Sequence, residues 1–404
     1  MTPDEARRFH DESLVFLAYT VTPVRLTRQG ASLRHMAEWL DGPRVDLPKL
    51  KQGGVDAVFL SVGSESLLVE SVSNAIWATQ PPQKRLMRPV WSGAAAVKRI
   101  LWGIDALHEM MAANSDVIEL ALGAADVERI VAKGKIAGII HVTRGDIDDD
   151  LAMLRTYWRN GVRAMQIAYD DGRPGWVDAC SYPPVAHGLT DFGRDVVREM
   201  NRLGMLIDLA HASDAAYAAV LEVSSQPVIS SHSGSRALCN VWRNLSDDTF
   251  RALAAKRSLV GAFFGSGYLD ERYWDQPAAH IFREQAYRRQ AALAAQTWDD
   301  PLDLALALRS PAPSDEPPPP LPQTSPLSVL LDHIDHSVQL MGEDYVCLGS
   351  DFGGIDSDGV AGLDEPSKLP NLTAALLERG YLPTTVRKIL GTNLLRLFRE
   401  VVGS

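Results

Sequence analysis

Two histidines and an aspartate stand at the ends of three apolar runs. Met205 to Leu209, broken only by Asp208, leads into Ala210-His211-Ala212-Ser213. Pro227-Val228-Ile229-Ser230-Ser231-His232-Ser233 ends in the same way, and Tyr345-Val346-Cys347-Leu348-Gly349-Ser350-Asp351 ends on a carboxylate. Buried strands read as apolar runs without alternation, and side chains at their ends can converge on one site. Two neutral imidazoles on adjacent strands could hold a divalent, zinc-like ion, which usually takes three or more protein ligands plus water. Asp351 could serve as a further ligand or as a general base. Three satisfied core or loop residues are the alternative reading. Arg243, in Trp242-Arg243-Asn244, has the planar donors to clamp a substrate carboxylate, or is a solvated loop arginine.

Such residues need a scaffold that gathers strand ends. Further strand candidates run over 13–21, 55–62, 135–142, 161–168 and 259–264, which with the three runs above makes eight. Helical stretches separate most of them. In 92–112, Val97, Ile100, Leu101, Ile104, Leu107 and Met110 recur at helical spacing, and further helices are expected over 151–160, 189–203, 214–223, 247–255 and 328–340. Asp146, Asp148, Asp149 and Asp150 lead into the 151–160 helix, where acids complement the positive helix end. A closed parallel (β/α)8 barrel of TIM type, somewhat distorted and with extra terminal helices, is the economical solution, with residues 1–404 as a single α/β domain. An open doubly wound sheet is the alternative, but no GxGxxG follows the first strand. Segment 3–12 is suited to capping the bottom of the domain, and the tail (372–377 and 386–390) to covering the barrel wall. Trp91 and Trp102 read as packing anchors. The proline-rich stretch near 311–326 reads as a surface excursion between the last two strands.

The chain has 404 residues, 46% of them hydrophobic, which is enough to bury a sizeable core. A net charge of −11 without a basic stripe disfavours a nucleic-acid partner. Cys180, Cys239 and Cys347 show no CxxC spacing, which fits a reducing, cytoplasmic compartment. The N-terminal MTPDEARRFHDE does not read as a signal peptide, and no apolar run is long enough to span a membrane.

At these residues the sequence resembles the membrane (renal) dipeptidase family, metallohydrolases of the amidohydrolase group of barrels. The matching stretches are RVDLPKLKQGGVDAVFLSV (44–62), DDDLAMLRTYWRNGVRAM (148–165), LGMLIDLAHAS (203–213), PVISSHSGSRALCNVWRNLSDD (227–248), LGSDFGG (348–354), and LPNLTAALLERGY with VRKILGTNLLRLF (369–398). They cover nearly the whole chain in the family order. The resemblance implies a homodimeric barrel enzyme with two zinc ions joined by a bridging glutamate. Such an enzyme hydrolyses dipeptides, often with a D-residue at the C-terminal position.

Residue by residue, the resemblance carries over in part. His211 and His232 match the histidine pair of one zinc, Arg243 the arginine that binds the substrate carboxylate, and Asp351 the aspartate beside the nucleophilic water. The His-x-Asp that holds the other zinc falls on Tyr19-Thr20-Val21. The bridging glutamate falls on or near Thr143, and the histidine that polarises the scissile carbonyl falls on Tyr169. The Asp-Phe-Asp-Gly sequence reads Asp351-Phe352-Gly353-Gly354. Neutral hydroxyls leave two adjacent cations without the anionic ligands that offset their repulsion. A two-zinc centre is therefore disfavoured. The site is expected to hold no metal, or one divalent ion, zinc above others, on His211 and His232 with Asp351 or Asp146 as an additional ligand. The expected function is binding of a small carboxylate-bearing, peptide- or amino-acid-derived substrate through Arg243 and Tyr169. Altered hydrolase or other acid–base chemistry would come from Asp351, Tyr169 and Tyr19. A non-catalytic ligand-binding homologue and a zinc dipeptidase with substitute ligands stay open.

Overall fold

A computed structural model describes residues 2–23, 33–40, 45–63, 94–169, 175–180, 186–277, 323–355 and 359–403. Nine strands form one sheet: β1 (Phe16–Leu17), β2 (Ala57–Gly63), β3 (Ile118–Leu120), β4 (Ile136–Thr143), β5 (Val162–Gln166), β6 (Leu206–Asp208), β7 (Ile229–Ser233), β8 (Leu259–Phe263) and β9 (Val346–Gly349). All pairings between them are parallel, and β2 pairs with both β1 and β4, so eight strands close into a barrel. The ninth, β3, lies outside that ring. It pairs with Ile136–Gly138 of β4, below Ile140, where pairing with β5 begins. Three residues, Ile118-Glu119-Leu120, are too short a run for a strand to be read from pattern. The expected first strand, 13–21, shrinks to Phe16–Leu17, followed by an isolated bridge between Thr20 and Phe352.

Every residue of β2 and β4 is buried, because inward side chains pack in the barrel and outward ones against helices. The helices start where the sequence supplies caps. Thr190, Ser213 and Ser246 accept N–H bonds from Gly193, Ala216 and Thr249, opening the helices Asp191–Leu203, Asp214–Val223 and Asp247–Ala255. Each cap is worth about 1 kcal/mol. Asp150 caps Leu151–Arg159 through the Ala152 N–H, whereas Asp146 pairs with Arg144 at 2.9 Å.

The last described helix lies beyond the tail segments 372–377 and 386–390 and takes a place of its own. Leu394, Leu397, Phe398 and Val401 of the helix Asn393–Val402 join the inward residues at the strand starts. Phe398 lies 6.2 Å from Phe16 and 6.1 Å from Phe59 between ring centres, so this helix plugs the barrel bottom. The helix Pro3–Asp11 packs on Leu369–Glu378, and its His10 bonds Thr373 Oγ1 (2.6 Å) and the Gly53 carbonyl (2.8 Å). Trp102 is 45% exposed and so is no buried anchor. Trp91 and residues 311–322 of the proline-rich stretch lie outside the described residues.

Two local devices shape the other end of the barrel. Between Ser230 and Ser233, β7 carries one more residue than β8 opposite, a bulge beside His232. The bulged chain needs Gly261 and Gly349 on the next two strands, since a Cβ at either would collide with the Ser231 carbonyl. Arg144, His211 and Asp351, just past β4, β6 and β9, take positive φ of 68°, 70° and 55°. Such backbone is costly for non-glycine residues and collects at functional sites.

Candidate functional site

The strand ends and the loop after β7 bring together Tyr19, Thr143, Tyr169, His211, His232 and Arg243, all buried. Tyr19, past β1, donates its hydroxyl to Thr143 Oγ1 of β4 (3.0 Å), and Thr143 donates to Gln166 Oε1 of β5 (3.3 Å). The Tyr19 ring lies flat on His232, 4.0 Å between centres, and Tyr169 stacks on His211 at 4.7 Å. The two imidazoles meet through their Nε2 atoms at 3.2 Å. His232 Nδ1 faces Ser231 Oγ at 2.8 Å. Burial, with the nearby charges of Arg243, His211 and His141, pushes His232 well below the usual histidine range, so its ring is neutral.

Arg243 reaches the same place from the loop after β7. It donates to Ser233 Oγ (3.0 Å) and to the His232 carbonyl (2.5 Å), and lies over the Phe263 ring. It is a buried arginine with structural bonds, not a solvated one. Asp351 is buried, with its carboxylate folded over Gly354, a position where a Cβ would meet it. Asp146 is buried with Arg144.

The model of the family described as membrane dipeptidase (peptidase family M19) matches residues 3–403. The chain belongs to the membrane dipeptidase family. Dipeptidase tcpJ of Claviceps purpurea (strain 20.1) is 32% identical over 359 residues, 88% of this chain and 69% of that one. Dipeptidase 3 of Homo sapiens is 31% identical over 313 residues, 76% of this chain. The match spans 52% of the human protein, about half its length. Among solved structures, the probable dipeptidase PvdM from Pseudomonas aeruginosa superposes with a TM-score of 0.75 at 23% identity, over 99% of this chain and 98% of that one. A metallopeptidase from Rhodobacter sphaeroides, liganded with a phosphinate mimic of L-Ala-D-Ala, gives 0.74 at 24%, over 96% and 100%. These likenesses show the shared barrel fold.

Measured against the zinc ligands of the dipeptidase family, the donor set divides into two halves. On one side, Tyr19 and Thr143 bond to each other, and Val21 offers a buried hydrocarbon. That half does not fit a metal ion. On the other side, a tetrahedral zinc bound to two imidazoles at 2.0–2.1 Å sets their nitrogens roughly 3.3 Å apart. The His211–His232 spacing of 3.2 Å fits two such ligands. It equally fits one ring donating N–H to the other. Among the described residues no three His, Cys, Asp or Glu side chains form a group that could hold a metal ion. The donor set therefore argues against two zincs and supports at most one ion.

Pattern reading missed the layer below. His141 of β4 sits between Ser61 Oγ (2.9 Å from Nδ1) and Asp208 Oδ2 (3.2 Å from Nε2), all three fully buried. Burial pushes the Asp208 carboxyl up. The bond and charge of His141, with bonds from Ser231 and Ala210, outweigh it and hold the carboxyl below its usual range. As a carboxylate Asp208 only accepts, so His141 Nε2 carries the proton. The available signal was a polar residue inside an apolar run, IAGIIHVT and LID. It marks a polar core but does not say which residue pairs with which.

Proposed function

We propose that this chain is a divergent member of the membrane dipeptidase family that binds a small, carboxylate-bearing, peptide- or amino-acid-derived substrate. It acts on it by altered hydrolase or other acid–base chemistry with at most one metal ion. The observation that carries this reading is the uneven survival of the site. Arg243, His232 and His211 are assembled, while Tyr19 bonds Thr143 where the family places metal ligands. In this reading Arg243 takes the carboxylate, Asp351 is the general base and Tyr169 donates a hydrogen bond to the reacting group. Tyr19, whose hydroxyl bonds Thr143, shares in the acid–base chemistry and lines the mouth with its ring. The named dipeptidase relatives and the solved relative with a dipeptide mimic support the substrate class.

We take the assembly to be a homodimer, as the family resemblance implies, and the compartment to be the cytoplasm. Cys239 and Cys347 are buried thiols. No helix among the described residues is long and apolar enough to cross a membrane.

Elemental analysis together with calorimetry tests the reading, with L-alanyl-D-alanine as probe. The expected result is at most one equivalent of zinc and a binding isotherm that Arg243→Ala weakens by at least about thirtyfold, since truncating a buried charge contact costs about 2–5 kcal/mol. Two equivalents of zinc with dipeptide turnover, or an unchanged dissociation constant in Arg243→Ala, overturns it.

A further inference from the structure

His141 has no part in the chemistry above, yet its ring touches residues of β2 and β6 and the Tyr19 ring past β1. Nδ1 meets Ser61 of β2 and Nε2 donates to Asp208 of β6. The Tyr19 ring stands edge-on against it at 5.3 Å, and Phe59 lies near-parallel at 6.0 Å. The other oxygen of Asp208 accepts the N–H groups of Ala210 (3.0 Å) and Ser231 (2.9 Å). Those residues directly precede His211 and His232. Tyr19, in edge contact with His141, itself stacks on His232. Two routes therefore run from His141 to the histidine pair, one through Asp208 and one through Tyr19.

Ser61, His141 and Asp208 have the connectivity of a nucleophile, base and orienting acid. With all three fully buried, no substrate carbonyl reaches Ser61, so that function does not apply.

We propose that His141 is a positioning residue: it fixes Tyr19, and through Asp208 the ends of β6 and β7, so that the site is gathered by side-chain bonds without an ion. Glutamine can reproduce both bonds, donating to Asp208 from its amide and accepting from Ser61. Leucine fills similar space and reproduces neither. The chemistry thus separates bonding from packing.

The test reads the ring signals of Tyr19, His211 and His232 by NMR of protein labelled with 13C in its tyrosines and histidines. Tyr19→Phe, His211→Gln and His232→Gln supply the assignments. In His141→Leu all three signals are expected to shift, and in His141→Gln they are expected to return towards the wild-type positions. Unmoved signals in His141→Leu, or a His141→Gln variant that behaves like it, overturn the proposal. If His141→Leu does not fold, His141→Met carries the test, because its flexible side chain also fills the space and reproduces neither bond. Shifts at His211 and His232 support the proposal there, and their absence overturns it.

A second arm rests on the proposed function: binding of L-alanyl-D-alanine is expected to weaken about tenfold in His141→Leu and to recover in His141→Gln. If wild-type protein does not bind the probe, the functional reading fails, and the ring signals still decide the role of His141.

Discussion

Tyr19 and Thr143 are neutral hydroxyls where the membrane dipeptidase family has metal ligands, and the consequence is chemical as well as geometric. A phenol donating to a threonine satisfies both groups inside the barrel mouth. A cation placed there would meet no negative charge on either. The combined variant Tyr19→His, Val21→Asp, Thr143→Glu restores an imidazole and two carboxylates. It is expected to raise zinc content to two equivalents and to bring dipeptide turnover. Elemental analysis beside a ninhydrin assay on L-alanyl-D-alanine checks this. A variant that folds and still holds one equivalent or none would show that the ligand types are not what limits the metal. The residue types were legible without any structure. The Tyr19–Thr143 bond was not, because it joins positions 124 apart in the chain.

At the scale of elements, the loops of the mouth are held by residues far from the chemistry. His333, on the helix Leu327–Met341, accepts the Ser235 N–H at Nδ1 (2.9 Å), so its Nε2 proton goes to the Leu269 carbonyl (2.9 Å). It thereby ties the segment after β7 to the segment after β8 in its neutral form. Burial lowers its pKa from 6.5 to about 4. The unfolded chain takes up a proton as pH falls through 6.5 and the folded chain only near 4. Stability from this group is therefore lost across that window, in total by roughly 3 kcal/mol. Asp56 works in the opposite direction. Burial raises its carboxyl to about 6, against the bond from the Val15 N–H, so the folded chain binds that proton first and gains stability as pH falls below 6. The wild-type profile is accordingly flattened. Urea midpoints from pH 7 to pH 4 are expected to fall less for His333→Gln than for wild type, and equal slopes would refute the assignment. The alternation of strands and helices was readable because each buried strand is apolar on both faces. The bulge in β7 and the positive φ of His211 and Asp351 were not, since their residue types alone do not force them.

For the whole molecule, the barrel is closed at one end by its own C-terminal helix and opened to chemistry at the other. Phe398 sits among Phe16 and Phe59 at the closed end. Phe398→Ala is expected to cost about 3–5 kcal/mol, the usual price of emptying a buried aromatic site. Denaturant unfolding measures it, and a loss under about 1 kcal/mol would mean that the helix lies on the barrel without plugging it. The tail segments 372–377 and 386–390 read as helices, but the plug, Asn393–Val402, lies beyond them and its place depends on where the chain stands after β9.

The sequence by itself determined the fold class, the family and the incompleteness of the two-metal set, because each depends on which residue types recur in which order. It also placed His211, His232, Tyr19 and Tyr169 at strand ends, and Arg243 in the segment that follows His232. Only the tertiary structure decided how those side chains bond. Closing the barrel brings β1 beside β2 and β9, and β4 beside β2, so Tyr19 meets Thr143, while β5 sets β4 and β6 on its two sides, so His141 meets Asp208. Hydrogen bonds between buried groups depend on distances of a few tenths of an ångström, and register, bulge and backbone sign set those distances together.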